Sequence, residues 1–138
     1  MLIPKKVKHR KWQRMRDRSL RVAGDKISLA FGIYGLRAQS AAWVSARQIE
    51  AARRAMTRFI KRGGKVWTRI FPDMPVTIHG SENTMGGGKG AVDHYVVPVR
   101  AGTIVFEMDG VTEDVAKEAM RLASHKLSVR TKFIKKEF

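Results

Sequence analysis

The spacing of apolar residues predicts a helix in the first half of the chain. Over residues 45–62, apolar side chains recur three or four positions apart and would form one stripe, made of Ile49, Ala52, Met56, Phe59 and Ile60. Ser45 and Gln48 stand at the spacing of a capping box, in which each side chain accepts a hydrogen bond from the other residue's backbone N–H. The pair Gly63-Gly64 supplies a stop signal, so both ends of this helix are predicted.

A second helix is predicted to begin after Thr112. Glu113 and Asp114 fall in its first turn, where carboxylates interact favourably with the helix dipole, and Thr112 is the predicted cap. Its apolar stripe consists of Val115, Ala119 and Leu122. The chain therefore has two predicted amphipathic helices.

Apolar and polar residues alternate in most of the remaining segments, which predicts strands. Residues 27–38 are interpreted as one or two strands, in which Gly32 and Gly35 mark bulges or close backbone approaches. Further strands are predicted at residues 65–71, 76–79, 93–100, 103–109 and 127–134. In the segment 103–109, alternation places Ile104, Phe106 and Met108 inward and Val105 and Glu107 outward.

These elements predict an α+β fold. The length of 138 residues suits one domain. The economical arrangement packs two helices on one face of a mixed or antiparallel sheet. Residues 27–138 would form this single domain, with residues 80–92 projecting as a Gly-rich hairpin loop and residues 1–26 preceding it as a basic extension.

Net charge changes the picture more than any other property of the composition. Twenty-eight Lys and Arg residues oppose 12 Asp and Glu residues, which gives a formal charge of +16. Such an excess repels itself unless an anionic partner neutralises it. The charge argues against a free metabolic enzyme with a small substrate and favours a polyanion, with nucleic acid first and an anionic membrane second.

Several classes are disfavoured by what the sequence lacks. There is no Cys, which excludes a disulfide framework, a thiolate zinc site and a thiol nucleophile. No apolar run approaches the roughly 20 residues that span a bilayer. The first residues lack the apolar segment of a secretory signal, and an organellar transit peptide is less clearly excluded.

The positive charge is concentrated in particular segments. Residues 1–30 hold ten basic and two acidic residues, and residues 31–62 hold seven basic residues and one acidic residue. Residues 63–125 are close to neutral, with six basic and eight acidic residues. Basic residues dominate again in residues 126–138. The excess therefore belongs to both ends of the chain and to the first helix.

The N-terminal extension has two interpretations. It shows little apolar periodicity before Ile27, and basic residues recur every two or three positions with Trp12 among them. It is either a solvated, disordered tail or a segment that becomes ordered on a polyanion. The basic density and Trp12, which could stack on a base or ribose, favour the second interpretation.

One side of the first helix is basic. Arg47, Arg54, Arg58 and Lys61 lie away from the apolar stripe, and Glu50 is the only carboxylate of the helix. A solvated face is the simplest explanation for a charged stripe. A face with so few carboxylates is better explained by contact with nucleic acid.

The Gly-rich stretch at residues 85–91 has three interpretations. Nucleotide binding is disfavoured because Gly90, and not Ser or Thr, follows Lys89. The dinucleotide fingerprint is disfavoured because strand residues, and not a helix, follow the glycines. A flexible hairpin loop remains open, as does a loop poor in side chains whose backbone and Lys89 approach RNA closely, and the latter is favoured.

Other candidate chemistry is weak. The residues His9, His79, His94 and His125 show no metal-ligand spacing, and no metal or cofactor is predicted. Asp73, Glu82 and Asp93 form no recognisable acid–base arrangement, so no catalytic residue is predicted. Trp67 is interpreted as core or edge packing in preference to a base stack.

Four segments resemble a known family. These are SARQIEAARRAMTR at 45–58, KRGGKVWTRIFPD at 61–73, MGGGKG at 85–90 and EMDGV at 107–111. The sequence resembles the bacterial-type large-subunit ribosomal protein sixteen family (universal uL-sixteen) over nearly its whole length. The helix and loop motifs are the most specific parts of the resemblance.

The resemblance implies an α+β ribosomal protein that is not an enzyme. It implies binding to large ribosomal RNA and to neighbouring large-subunit proteins, beside the aminoacyl-site tRNA. It further implies a role in late subunit assembly, and a Gly-rich loop that reaches toward the peptidyl transferase centre. The expected location is the cytoplasmic ribosome of a bacterium, with an organellar ribosome as the alternative, and no membrane is expected as a partner.

Two sets of site residues follow. The predicted ribosomal-RNA contacts are Lys5, Lys6, Lys8, Arg10, Lys11, Trp12, Arg14, Arg16, Arg18, Arg37, Arg47, Arg54, Arg58, Lys61 and Arg62. By match to the family, the tRNA-site loop consists of Thr84, Met85, Gly86, Gly88, Lys89 and Gly90. Thr84 stands where the family usually has Arg, and Gly87 where it commonly has a second Lys, so the tip carries less positive charge than in relatives. The rival hypotheses are a small nucleotide-binding enzyme that uses this loop and a DNA-binding module.

Overall fold

The protein has two helices and two antiparallel sheets in a computed structural model that describes residues 1–14, 21–61, 63–82 and 85–137. In chain order the elements are β1 (Tyr34–Ala38), β2 (Ala42–Ser45), α1 (Ala46–Phe59), β3 (Lys65–Thr68), β4 (Met74–Thr77), β5 (Val92–Val99), β6 (Ile104–Asp109), α2 (Glu113–Ser124) and β7 (Thr131–Lys135). The predicted α+β class is confirmed.

Helix α1 begins as its sequence predicts. The Ser45 side chain accepts a hydrogen bond from the Gln48 backbone N–H at 3.3 Å, and the Gln48 side chain accepts one from the Ser45 N–H at 3.0 Å. These reciprocal bonds form the capping box and satisfy two backbone donors that the first turn leaves free.

The end of α1 differs from the expected one. The helix stops at Phe59, and Lys61 takes the left-handed conformation with φ of 51° that glycine usually supplies after a helix. The N–H of Gly63 then bonds to the carbonyl of Ile60 at 2.8 Å. Gly64 is needed for a different reason: a Cβ there would lie 2.7 Å from both the Asp109 carbonyl oxygen and the Val111 side chain. The glycine pair therefore lets the chain pass close to the end of β6.

Helix α2 follows the predicted cap position but not the predicted cap bond. Thr112 has the extended conformation of a capping residue, yet its side chain accepts no hydrogen bond from the first turn. Glu113 and Asp114 supply negative charge at this end, which the helix dipole favours. At this end of α2, the carboxylates of Glu113 and Asp114 therefore interact with the helix dipole, and no side-chain hydrogen bond from Thr112 caps the first turn.

The strands form two sheets where one was predicted. The larger sheet has the order β3-β6-β1-β7 and the smaller sheet the order β2-β5-β4, and the strand pairs are antiparallel. The sequence does not predict strand β2, because its four residues are too few to show alternation and the last of them, Ser45, is also the cap of α1. Residues 27–33 form no strand, contrary to the prediction for 27–38.

The core lies between the helices and the larger sheet. Helices α1 and α2 contact each other, while α2 packs on β1 and β7 and α1 contacts β3 together with β2 and β5 of the smaller sheet. Ile49, Ala52 and Met56 of α1 are buried against this core, as are Ala116, Ala119 and Met120 of α2. Burial of these side chains supplies the main stabilisation of the fold.

The outward orientation predicted for Val105 and Glu107 is wrong. Both residues of β6 are fully buried, as are Phe106 and Met108. Residues 28–32 cover Glu107, since three consecutive backbone N–H groups of that segment donate to its carboxylate. Alternation of apolar and polar residues indicates which side chains of a strand share a face of the sheet. It does not show that the outer face of β6 is covered by residues 28–32.

Candidate nucleic-acid interface

The predicted basic face of α1 is exposed. Arg47, Arg54 and Arg58 are solvent-accessible on the side of α1 away from its buried stripe, and Lys61, two residues beyond the last residue of the helix, is exposed as well. The first three residues lie seven and four positions apart, which brings their side chains to one face. Arg62, the fifth predicted contact of this segment, lies outside the described residues.

Glu50 neutralises part of this face. Its Oε1 atom lies 2.7 Å from Arg53 Nη2 and 3.0 Å from Arg54 Nε. The hydrogen bond from Arg53, with help from Arg54, lowers the pKa of Glu50 to about 2 against a smaller opposing effect of burial. Arg54 nevertheless keeps a side chain that is 76% exposed. In the described part of the chain, no carboxylate forms an ion pair with Arg47, Arg58 or Lys61.

The N-terminal extension has no helix or strand in residues 1–14. Its predicted contacts Lys5, Lys6, Lys8 and Arg10 are exposed, while Lys11 is half-buried. The Arg14 guanidinium lies 5.5 Å from the centroid of the Trp43 ring, a cation–π contact with strand β2. Arg16 and Arg18 lie outside the described residues.

Arg37 lies apart from the other predicted contacts. It is half-buried in β1, the strand between β6 and β7 of the larger sheet. Its register partner on β7 is Lys132. The structure therefore pairs Arg37 with the basic C-terminal strand and not with the cations of α1.

The Gly-rich loop joins β4 to β5 and is exposed at its tip. Met85 is fully exposed, and a Cβ on Gly86, Gly87 or Gly88 would meet no atom within 4 Å. Gly88 has a φ of 131°, which a residue with a side chain rarely adopts. Thr84 lies outside the described residues. The loop thus presents backbone groups with little side-chain bulk.

The structure brings the loop and the extension together. The Lys89 ammonium donates a hydrogen bond to the Trp12 carbonyl, and the Lys11 ammonium donates one to the Lys89 carbonyl at 2.7 Å. The sequence predicted both segments as contacts but not their association. Lys89 is the only Lys or Arg of residues 80–92, so the cation of the loop is engaged by the backbone of the extension.

Gly90 fixes the base of the loop. A Cβ on Gly90 would overlap the carbonyl oxygen of Ile78, and the Ile78 N–H bonds to the Ala91 carbonyl at 3.1 Å. Only glycine therefore fits at this position beside Ile78.

We expect Gly90→Ala to break the hydrogen bond between Ile78 and Ala91 because the backbone must move to accept the methyl group. Hydrogen exchange at the Ile78 amide should then accelerate at least about tenfold, since its protection depends on this local closure. The matched change Gly86→Ala, which meets no atom, should leave the exchange rate unchanged; equal acceleration by both would contradict this assignment.

Glu107 and Arg69 form a buried ion pair that the sequence does not predict. Glu107 accepts hydrogen bonds from the backbone N–H groups of Ala30, Phe31 and Gly32, at 3.2, 2.6 and 2.8 Å, and from the Arg69 guanidinium. Burial raises the pKa of Glu107, but these donors together outweigh it and hold the pKa below its ordinary value. The one sequence feature that could have indicated this ion pair is the position of Glu107, a carboxylate in the middle of an otherwise apolar strand.

Aromatic and cationic side chains stack beside this pair. The rings of Phe31 and Trp67 are stacked, with centroids 6.1 Å apart. Lys65 Nζ lies 5.1 Å from the Trp67 ring and the Arg69 guanidinium 5.1 Å from the Phe31 ring. Trp67 is half-buried in edge strand β3, in agreement with the packing role predicted for it.

The described ranges offer neither a metal site nor a membrane span. No group of three or more His, Cys, Asp or Glu residues there is arranged to hold a metal ion. No helix in this part of the chain combines the length and the apolar character required to cross a membrane.

Comparison with known proteins gives one consistent result. Residues 4–134 match the family described as ribosomal protein L16p/L10e. A large ribosomal subunit protein uL16 of Heliobacterium modesticaldum is 57% identical over 137 residues, covering 99% of this chain and 94% of that protein. The uL16 protein of Trichodesmium erythraeum is 56% identical over 137 residues, covering 99% of this chain and 98% of that protein. The basic helix, the Gly-rich loop and all residues of the two sheets except Lys135 lie within the matched region, and the chain belongs to the ribosomal protein L16p/L10e family.

Proposed function

We propose that this protein is a structural constituent of the large ribosomal subunit, where it binds large ribosomal RNA. The basic face of α1 is the observation that carries the proposal, because its cations are exposed opposite a buried apolar stripe. Family membership and two relatives named as large-subunit proteins support the same conclusion. The protein is a ribosomal protein and not an enzyme.

Binding depends on neutralisation of phosphates. Arg47, Arg58 and Lys61 carry no ion pair in the described residues, so their charges are available to the RNA backbone without the loss of an internal partner. The exposed cations of residues 1–14 extend this surface. Phosphate contacts position a protein on RNA but read little sequence.

The Gly-rich loop is proposed to help organise the aminoacyl-tRNA site near the peptidyl transferase centre. The glycines at its tip allow close approach to RNA because no side chain stands between the two backbones. The hydrogen bonds that join Lys89 to Lys11 and Trp12 hold the loop against the N-terminal extension. They support a role in which the loop contacts RNA mainly through its backbone groups. Assistance in late subunit assembly and contact with neighbouring ribosomal proteins belong to the same proposal.

The two rival functions receive no support from the geometry. The Gly-rich loop leads into strand β5, whereas a nucleotide-binding loop of either type opens a helix whose N-terminus holds phosphate. No helix-turn-helix follows from the described elements, in which α1 and α2 are separated by four strands. The bacterial source of both relatives supports the cytoplasmic ribosome of a bacterium as the location, with an organellar ribosome as the alternative.

Salt dependence tests the proposal. If six phosphates are neutralised, affinity for large-subunit particles that lack this protein should fall roughly 10³-fold between 50 and 200 mM salt. The measurement is co-sedimentation of the purified protein with such particles across this salt range. Circular dichroism over the same range controls for unfolding. An affinity that does not change with salt would refute the polyanion mechanism.

A further inference from the structure

A groove of about 830 Å³ lies between α1 and α2. Its apolar lining consists of Ala51, Ala55, Phe59 and Leu122, and its basic lining of Arg54, Arg58, Lys61 and Lys126 together with His125. No carboxylate of the described residues lines it. The groove therefore combines an apolar surface with at least four positive charges.

Phe59 is the unusual residue of this groove. Its spacing placed it on the apolar stripe of α1, yet its exposure is 39%, while Met56 and Ile60 on either side of it are buried. Two small residues, Ala55 and Ala51, stand one and two turns before it, so the aromatic ring borders open space. An aromatic side chain exposed beside cations has the chemistry of a base-stacking site.

We propose that this groove holds an unpaired base of ribosomal RNA, which stacks on Phe59 while the adjoining phosphates contact the basic lining. The inference rests on the proposed function, since it specifies how the α1 face meets RNA. Bases inside an RNA helix offer no free ring face, and recognition by aromatic side chains uses bases of loops and bulges. The neutral, planar base occupies the apolar part of the groove and its phosphates neutralise Arg54, Arg58, Lys61 and Lys126.

Charge favours RNA over an apolar protein segment as the occupant. A protein helix with an apolar face would cover Phe59 and Leu122 but would bury the basic lining without supplying negative charge, which is costly. Arg54 already has Glu50 as a partner, whereas no ion pair is formed by Arg58, Lys61 or Lys126 within the described residues. An RNA strand supplies one phosphate per nucleotide and one aromatic ring per nucleotide. Both features of the groove are therefore satisfied by the same molecule.

Substitutions of Phe59 separate ring stacking from simple apolar contact. We expect Phe59→Ala to weaken binding to large-subunit particles that lack this protein by about 10- to 100-fold, the range associated with one base–aromatic stack. Phe59→Tyr should retain near-normal affinity because the ring remains. Phe59→Leu should bind as weakly as Phe59→Ala, although it preserves much of the apolar volume. Phe71→Ala, at a Phe of similar exposure outside the groove, is the matched control and should bind normally.

Chemical probing of the RNA in the reconstituted particles provides the second readout. One nucleotide protected by the wild-type protein should become reactive at its base with Phe59→Ala while the phosphate protections along α1 persist. Normal affinity of Phe59→Ala with unchanged protections would overturn the proposal. Rescue by Phe59→Leu would also overturn it, because the groove would then hold an apolar group such as a protein side chain. The thermal unfolding midpoint of each variant verifies the fold.

The Phe59 variants and the salt dependence report on different properties of the protein. Phe59 variants leave every charge in place, so the slope of affinity against salt should stay that of the wild-type protein. If the affinity of the wild-type protein did not depend on salt, the proposed binding to RNA phosphates would be refuted, whatever the result with the Phe59 variants.

Discussion

Replacing Glu107 with Gln is expected to lower the free energy of unfolding by about 3–5 kcal/mol, the cost of breaking a buried ion pair by removing one partner. The Gln side chain keeps the volume but removes the charge that compensates Arg69, whose side chain is only 15% exposed. Its NH₂ group would also face backbone N–H groups of residues 30–32 where an acceptor is needed. Urea unfolding followed by circular dichroism measures the effect.

The control for this prediction is an exposed carboxylate. Glu118 pairs with Arg121 on the surface of α2, where water screens the interaction. Glu118→Gln should leave the unfolding midpoint nearly unchanged. If Glu107→Gln were equally harmless, the anchoring role of Glu107 for residues 28–32 would be refuted.

The stabilisation by Glu107 should also depend on pH. Because its folded-state pKa lies below the ordinary carboxyl value of 4.5, the carboxylate stabilises the fold fully above about pH 4.5. This contribution is lost progressively as the pH falls through the lowered pKa. The difference in stability between wild type and Glu107→Gln should therefore be constant near neutral pH and shrink in acid.

Reversing three cations of α1 and of the turn that follows it is expected to abolish incorporation into large subunits. The triple variant Arg54→Glu, Arg58→Glu and Lys61→Glu replaces three phosphate-binding charges by charges that repel phosphate. The fold should persist because all three side chains are exposed. Each lost phosphate contact should reduce the logarithmic salt slope by about 1, so the residual binding should have a slope smaller by about 3.

A charge-matched control distinguishes the α1 face from net charge alone. Lys117, Arg130 and Lys132 are exposed and lie outside α1. Their joint reversal to Glu changes the net charge by the same amount and should leave incorporation largely intact. Normal incorporation of the α1 variant, or equal loss in both variants, would contradict the assignment of this face. Particle association is measured by sedimentation of subunits from cells that express each tagged variant.

The helices were the most predictable part of this fold because their signals are local. The capping box of Ser45 and Gln48 and the stripe of α1 depend on residues within a few turns of each other. The same holds for α2 and for the long strands β5 and β6. The exposure of Arg47, Arg54 and Arg58 also follows from helix periodicity alone.

The features that escaped prediction depend on residues far apart in the chain. Glu107 was misassigned because its partners, residues 30–32 and Arg69, are separated from it by 75–77 and 38 positions. The tie between Lys89 and Trp12 spans 77 positions. Phe59 satisfies the helical period, yet it is exposed between the buried residues Met56 and Ile60. Its burial depends on whether a neighbouring element covers it, which periodicity does not show. The sequence predicts one sheet and not two, because the alternation of apolar and polar residues does not show which strands pair with each other.

The strand order of the larger sheet has a consequence for synthesis of the protein. Strand β1 pairs with β6 and β7, whose residues follow it by about 70 and 95 positions, so both of its partner strands belong to the second half of the chain. Contacts of such high sequence separation slow folding because a long loop must close before they form. The sheet therefore cannot be completed until the last strand has left the ribosome that makes it. The cations of α1 are therefore synthesised before the larger sheet behind them can be completed.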